Sequence, residues 1–365
     1  MIEGITPEKL QKILQNKKLR RYLAYEDPLW FALIYLRRLF EYSFAPFHLE
    51  MFQLMKDPKY ELVVIMAFRG SGKSTLMNLA NTLWSILGKP QKKFVVIVSQ
   101  TQEQAKNHFT NIKDELLEND LLREDFGPYT EDEKEWKKMS LDLIYHESKI
   151  QSVSWETGVR GIKHGSIRPD LIICDDLEDS SARIDKIKRD ELYTRFVSEI
   201  LPLGSQNTRI IILGNLICEE SLLMRLKSDI ENNRQDGIFR AYPIIDNDRR
   251  ILWPEKYKNL EEVKKIWRRF PLSVWANEYV LKPINHDGNG PVVLINDIFT
   301  FDDCEQYLKK DMAFPCQKPL VPQMKKFNIS PPTEEPIMFI YSSKDDPEYR
   351  HNFGNIFLDE PMLNS

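Results

Sequence analysis

The sequence predicts an α/β protein with a mainly parallel β-sheet covered by helices on both faces. Between Glu61 and Ile245, four short apolar runs alternate with longer amphipathic stretches: LVVIMAF from Leu62, FVVIVS from Phe94, LIIC from Leu171 and RIIIL from Arg209. That is the pattern of strands buried on both faces and joined by helical crossovers. Two further observations agree with it: the first run passes through a glycine-rich turn directly into a helical pattern, and the third ends on an acidic pair.

In chain order, the first fifty residues read as helical, with Leu29, Trp30, Leu33, Ile34 and Leu36 spaced to cover one side. Helices are expected from Lys73, from Gln102, near Asp185 and near Glu220. Leu141 to Ser154 reads as a locally inserted β-hairpin with its polar turn around Glu147 to Lys149. Leu260, Val263, Ile266, Trp267 and Phe270 fall at helical spacing, and Pro271 opens another short helical stretch through Trp275 and Tyr279. After Pro283 the periodicity decays, and HDGNGP and SPPTEEP mark an irregular tail. The expected plan is a helical lead over 1–44, an α/β core over 45–245, a helical subdomain or linker over 246–284 and the tail over 285–365.

Composition narrows the class. The hydrophobic fraction of 42% and charged fraction of 29% lie near soluble globular averages. No apolar run approaches the roughly 20 residues needed to cross a bilayer, so no membrane association is expected. The opening MIEGITPEKLQKIL lacks a basic lead followed by an apolar signal core, which favours a cytoplasmic location. Cys174, Cys218, Cys304 and Cys316 are far apart and form no CxxC pair, so they read as reduced structural thiols. A formal net charge of -4 supplies no global basic excess for nucleic acid. Locally, the basic cluster of Lys17, Lys18, Arg20 and Arg21 and the acidic run from Asp114 to Glu135 both read as solvated helix faces.

The strongest chemical signal is LVVIMAFRGSGKST, in which a strand runs into Arg69, Gly70, Ser71, Gly72, Lys73, Ser74 and Thr75 and then into a helix. Glycines let backbone N–H groups turn toward a phosphate, and the helix N-terminus adds a favourable dipole. Lys73 supplies a point charge for the β- and γ-phosphates, and Ser74 can ligate Mg²⁺. One departure stands out: Ala67 occupies the position where this motif usually opens with Gly, and Arg69 enters the loop itself. ATP with Mg²⁺ is the expected ligand pair, and a P-loop NTPase of the ASCE/RecA-like class is the expected fold.

A phosphate loop needs a carboxylate at the end of a neighbouring buried strand to hold the metal and its water shell. The segment PDLIICDDLED supplies Asp175 for that purpose. Asp176 or Glu178 would orient the attacking water, and the residues alone leave the choice open. The run ending at Leu213, Gly214 and Asn215 makes Asn215 a candidate γ-phosphate sensor. Phosphoryl transfer also gains from an added cation. Arg69 is placed for contact within the same subunit, and Arg160, in a glycine-flanked turn, is the weaker candidate.

The ordered segments APFHLEMFQLM, FRGSGKST, GVRGIKHGSIRPDLIICDDLED, IIILGN, ILWPEKY and WANEYVLKP together resemble the ATPase half of a phage terminase large subunit over about Ala45 to Pro283. The resemblance implies an adenine pocket at Phe47 and His48, although a packed or surface His48 is an equal reading. It also implies a ring of subunits at a capsid portal protein, with a small terminase subunit, moving double-stranded DNA in the host cytoplasm during virion assembly. Leu213–Asn215 would couple hydrolysis to movement. Members of that family usually continue into an RNase H-like nuclease. Here Asp287, Asp302, Asp303, Asp345 and Asp346 lack a run of strands to arrange them, so the nuclease is expected to be absent, truncated or on a separate chain. The competing classes are a nucleotide-binding assembly subunit without turnover, a superfamily-2 helicase, which needs a second α/β domain, and a small-molecule kinase.

Overall fold

The computed structural model describes residues 7–130, 139–178, 182, 185–248, 250–282 and two short strands at 339–342 and 355–358. Four helices lead the chain: α1 (Pro7–Gln15), α2 (Lys17–Glu26), α3 (Pro28–Tyr35) and α4 (Pro46–Lys56). Their boundaries are chemical. Asn16 accepts the Leu19 N–H to cap α2, and Asp27 accepts the Leu29 N–H ahead of Pro28, which opens α3. The buried residues of α3 are Pro28, Phe31, Ala32, Ile34 and Tyr35, whereas Leu29, Trp30 and Leu33 are half-buried.

The basic cluster and acidic run are not two solvated faces, because part of each meets the other. Arg20 is 5% exposed, and its Nε and Nη2 donate to the two Asp125 carboxylate oxygens at 2.7 and 2.8 Å. The Tyr35 hydroxyl donates to the same carboxylate at 2.7 Å. Lys17 sits 3.4 Å from Glu124. These partners are some hundred residues apart in the chain, so nothing in local charge pattern could pair them.

The α/β portion follows. β1 (Leu62–Ala67) leads through the glycine turn into a π-helical turn (Thr75–Ala80) and α5 (Asn81–Leu87). Then come β2 (Phe94–Ser99), α6 (Gln102–Glu118), α7 (Asp120–Phe126), β3 (Ser140–Leu143), β4 (Ser148–Ser154) and β5 (Leu171–Asp175). The series closes with α8 (Lys186–Arg195), β6 (Arg209–Gly214), α9 (Leu222–Glu231) and β7 (Ile238–Tyr242). The seven strands form one sheet in the order β3-β4-β2-β5-β6-β1-β7. β1 pairs parallel with β6, β6 with β5, β5 with β2 and β2 with β4. A strand inserted between the phosphate-loop strand and the acidic strand is the RecA-like, ASCE arrangement of a P-loop NTPase.

The hairpin exists, with β3 and β4 antiparallel, but it is not a local insertion. β4 pairs along the whole of β2, from Phe94↔Lys149 to Ser99↔Ser154, and so extends the main sheet. Its alternating burial let a half-buried edge region look detached from the uniformly apolar strands. The start of β2 is pinned by Asp170, which accepts the N–H groups of Lys93 and Phe94 at 2.8 and 3.0 Å. On one sheet face, Val64, Val96, Val98, Ile172 and Ile212 pack with Phe196 and Leu226.

The chain divides into two compact units, Met1–Gly214 with Ser221–Ala241, and Asn215–Glu220 with Tyr242–Ser365. The second unit contains α10 (Leu260–Trp267) and α11 (Leu272–Trp275), followed by a π-helical turn at Ala276–Val280. Within it, Ile244 N–H donates to the Tyr279 carbonyl at 2.8 Å, and the Asn277 amide donates to the Ile217 carbonyl at 2.9 Å. Trp275 stacks on Tyr279 at 4.9 Å. The tail, read as irregular, includes one antiparallel pair, β8 (Phe339–Ser342) with β9 (Asn355–Leu358). Its aspartates and Cys304 and Cys316 lie outside the described residues. Among the described residues no helix is long and apolar enough to cross a membrane.

The Arg20–Asp125 pair generates a stability prediction. Asp125→Ala leaves the buried Arg20 guanidinium only the exposed Glu124 carboxylate and the Leu14 carbonyl as partners and is expected to cost about 3 kcal/mol in urea unfolding, whereas Ala at the exposed Lys18 changes stability by less than about 0.5 kcal/mol. Burial alone would raise the Asp125 pKa, but hydrogen bonds from Arg20 and Tyr35 outweigh it and hold the carboxyl below its ordinary 3.8. With the folded value depressed, the stabilisation is complete above the unfolded-state pKa and is lost as pH falls through the folded value. The difference between wild type and variant is therefore expected to shrink below about pH 4.

Candidate functional site

The parallel ladder brings the sequence-predicted residues of the first unit to one sheet edge. On β6, Leu213 is the register partner of both Ile65 and Asp175, and Gly214 is opposite Met66. Ser99, at the end of β2, is also opposite Asp175. The glycine turn after β1, the Asp175–Asp176 pair at the end of β5 and the end of β6 thus share the carboxyl edge, where open α/β sheets bind ligands.

The turn has the backbone that its sequence requires. Gly70 and Gly72 have φ values of 78° and 85°, the left-handed region that L side chains rarely adopt. The Ser71 N–H closes a turn onto the Phe68 carbonyl at 3.1 Å, and Leu76 N–H bonds the Gly72 carbonyl at 3.0 Å to start the helix. Arg69 and Gly70 are exposed, Ser74 and Thr75 are half-buried, and Lys73 is buried.

His48 supports this turn from behind. Its Nδ1 accepts the Ala45 N–H at 2.9 Å, which leaves the proton on Nε2, and Nε2 donates to the Ser71 carbonyl at 2.7 Å. The ring is 1% exposed and lies 3.8 Å from the Phe47 ring. Phe47 in turn packs 5.9 Å from Phe68, the residue that leads into the turn.

Asp175 is 4% exposed. Its Oδ2 accepts the Asn78 amide at 2.6 Å and lies 3.2 Å from His108 Nε2. Its Oδ1 is buried with no hydrogen-bond partner among the described residues. Burial alone would raise this carboxyl; the His108 hydrogen bond and charge, the Lys73 charge and the Ser74 hydroxyl hold it below the usual carboxylate range. An orphaned carboxylate oxygen beside a serine hydroxyl is a donor set of hard oxygens that fits Mg²⁺. Sequence reasoning missed Asn78 and His108. Asn78 lies 97 residues from Asp175, and no motif spacing signals it; its only mark is an amide among apolar neighbours in the helix after the phosphate loop.

Asp176 takes a left-handed φ of 47°, and its N–H donates to the Leu213 carbonyl at 3.0 Å. A Cβ at Gly214 would lie 3.5 Å from Asp176 Oδ1 and only 2.7 Å from Leu223, so glycine keeps this approach open. Glu178 is tied elsewhere: its Oε1 accepts the Leu222 N–H at 2.8 Å in the first turn of α9. Its Oε2 is buried and makes no hydrogen bond among the described residues. Burial pushes the Glu178 pKa up to about 7, against the opposing backbone N–H groups of Leu222 and Leu223.

Arg160 is exposed between Gly158 and Gly161, whose φ values are 83° and 78°, and its Nε lies 3.3 Å from Glu199. Asn215 begins the short segment Asn215–Glu220 that belongs to the second unit.

No protein-family model and no curated protein matches the chain. Among solved structures it is similar to the HK97 bacteriophage large terminase, at 16% identity and TM-score 0.45, covering 68% of this chain and 56% of that one. A large terminase from a thermophilic bacteriophage in complex with ADP gives 9% identity and TM-score 0.44, with 65% and 53% covered. The ATPase domain of a Thermus phage large terminase gives 16% identity and TM-score 0.42, with 64% and 92% covered. The chain spans about half the length of the first two.

Two outcomes follow from the geometry. If His48 acts by holding the Ser71 carbonyl, His48→Ala weakens binding of ATP, GTP and CTP by one common factor of about ten; a loss confined to ATP in equilibrium titrations would assign it to adenine instead. Glu178, with a folded pKa near 7 against an ordinary 4.5, binds its proton more tightly when folded. It therefore destabilises the protein increasingly as pH rises through that interval. Glu178→Gln is expected to gain stability relative to wild type between pH 5 and pH 8, by on the order of 3 kcal/mol at most, as read from unfolding curves at both pH values.

Proposed function

We propose that this chain is the ATP-hydrolysing subunit of a motor that translocates double-stranded viral DNA into a capsid. The observation that carries the ATPase part is the desolvated Asp175 carboxylate, one oxygen orphaned, beside Ser74 and Lys73 at the carboxyl edge of a RecA-like sheet. The ordered motifs that resemble the terminase large subunit support the packaging part.

In this reading the backbone N–H groups from Gly70 to Thr75 and the Lys73 ammonium hold the β- and γ-phosphates, and Phe47 borders the adenine while His48 braces the loop. Ser74 and Asp175 would hold Mg²⁺, which when bound would neutralise the charge that develops on the phosphates. Asp176 orients the attacking water, because Glu178 already caps α9. Attack on the γ-phosphorus breaks its bond to the bridging oxygen and releases ADP and phosphate. Arg69 stabilises the developing charge within the subunit, Arg160 does so from a neighbour in a homo-oligomeric ring, and Asn215 reports completion. Portal protein, a small terminase subunit and a separate nuclease chain are the implied partners. Residues 45–245 are the ATPase core of this plan, with 1–44 as its lead and 246–284 as the linking subdomain.

One observation favours a nucleotide-binding assembly role without turnover: with Glu178 engaged at α9, the shorter Asp176 is left to orient the water. Steady-state hydrolysis with and without linear double-stranded DNA separates the two readings. The motor reading expects DNA-stimulated turnover, lost by more than about 100-fold in Lys73→Ala, Asp175→Ala and Asp176→Asn and retained within about threefold in Glu178→Gln. ATP binding with no turnover under any of these conditions would instead assign the chain to assembly.

A further inference from the structure

A carboxylate has two equivalent oxygens and can rotate about its last bond, so a metal-holding aspartate needs outside donors to choose which oxygen it presents. At Asp175 the two donors from outside the glycine turn converge on Oδ2. Asn78 Nδ2 approaches at 2.6 Å from the π-helical turn after the phosphate loop, and His108 Nε2 at 3.2 Å from α6. Oδ1 is left as the oxygen without a donor.

We infer that Asn78 and His108 are positioning residues that hold Asp175 by Oδ2 so that Oδ1 is presented to the divalent cation; the inference rests on the Mg-ATP reading of the site.

The polar cost of the arrangement argues for function over packing. Asn78 is 1% exposed, and its own Oδ1 is buried without a hydrogen-bond partner. Such an orphaned acceptor is destabilising, because its hydration is lost with no hydrogen bond in return. Turning the amide over would set that oxygen against the carboxylate, so the orientation follows from charge. Asn78 Nδ2 also lies 3.3 Å from both ring nitrogens of His108, which places the two donors against each other as well as against Asp175. An apolar residue would fill this position without an orphaned oxygen, and it would leave the carboxylate with one donor fewer.

The test measures metal binding rather than turnover. Mn²⁺ is titrated by electron paramagnetic resonance into the full chain saturated with a non-hydrolysable ATP analogue, and analogue affinity is measured separately in EDTA. Asn78→Ala and His108→Ala are each expected to weaken Mn²⁺ binding by about 10–100-fold while metal-free analogue affinity stays within about twofold. His108→Gln, which keeps an N–H donor, is expected to recover most of the loss. Unchanged Mn²⁺ affinity in both Ala variants would overturn the assignment while leaving the Mg-ATP reading intact. A parallel fall in metal-free analogue affinity would also overturn it, because the pair would then be holding the phosphate-loop helix. If the wild-type chain binds neither the analogue nor Mn²⁺, the Mg-ATP reading fails and the assignment fails with it.

Discussion

Asp175 carries its charge at the end of an apolar strand with 4% of its surface exposed, and a charge so placed must be compensated by its neighbours. That requirement organises the site. Lys73 and Ser74 come from the turn after β1, Asn78 from the helical turn that continues it and His108 from α6, so two separate stretches of chain converge on one carboxylate. Their convergence depends on β6. Because it pairs in parallel with β1 on one side and β5 on the other, Asp175 lies level with Ile65, and the phosphate loop beyond β1 is carried alongside.

The loop is as constrained as the carboxylate. Its two left-handed glycines turn the backbone, and the Ser71 carbonyl is engaged from behind by His48, whose tautomer is set by the Ala45 N–H. A histidine beside a glycine turn of this kind invites a catalytic or base-contacting role. Here its two ring nitrogens are both spent on backbone groups, one on α4's entry and one on the loop, and the gain is a fixed loop backbone.

Two buried or part-buried polar groups elsewhere in the chain also find partners distant in sequence. Arg20 and Tyr35 of the helical lead share Asp125 at the end of α7, which ties the lead to the α/β portion by hydrogen bonds rather than by apolar contact alone. Glu178, three residues after Asp175, spends one oxygen on the start of α9. A carboxylate close in sequence to the acidic strand end thus has a structural use that competes with a catalytic one.

The sequence alone determined the strand runs, the glycine turn between β1 and the helix that follows, and the acidic strand end, because each is a local pattern: period of burial, backbone freedom, charge at the end of an apolar run. It also placed α6, α9 and α10 to within a few residues, since caps and amphipathic spacing are local too. Tertiary structure decided the rest. That Asn78 and His108 meet Asp175, that Arg20 finds Asp125, that Glu178 caps α9 and that the hairpin joins the sheet through β2 are all pairings between residues far apart in the chain. The free energy of such a pairing lies in desolvation and geometry that exist only once the sheet has formed, and no composition or spacing along the chain encodes them in readable form.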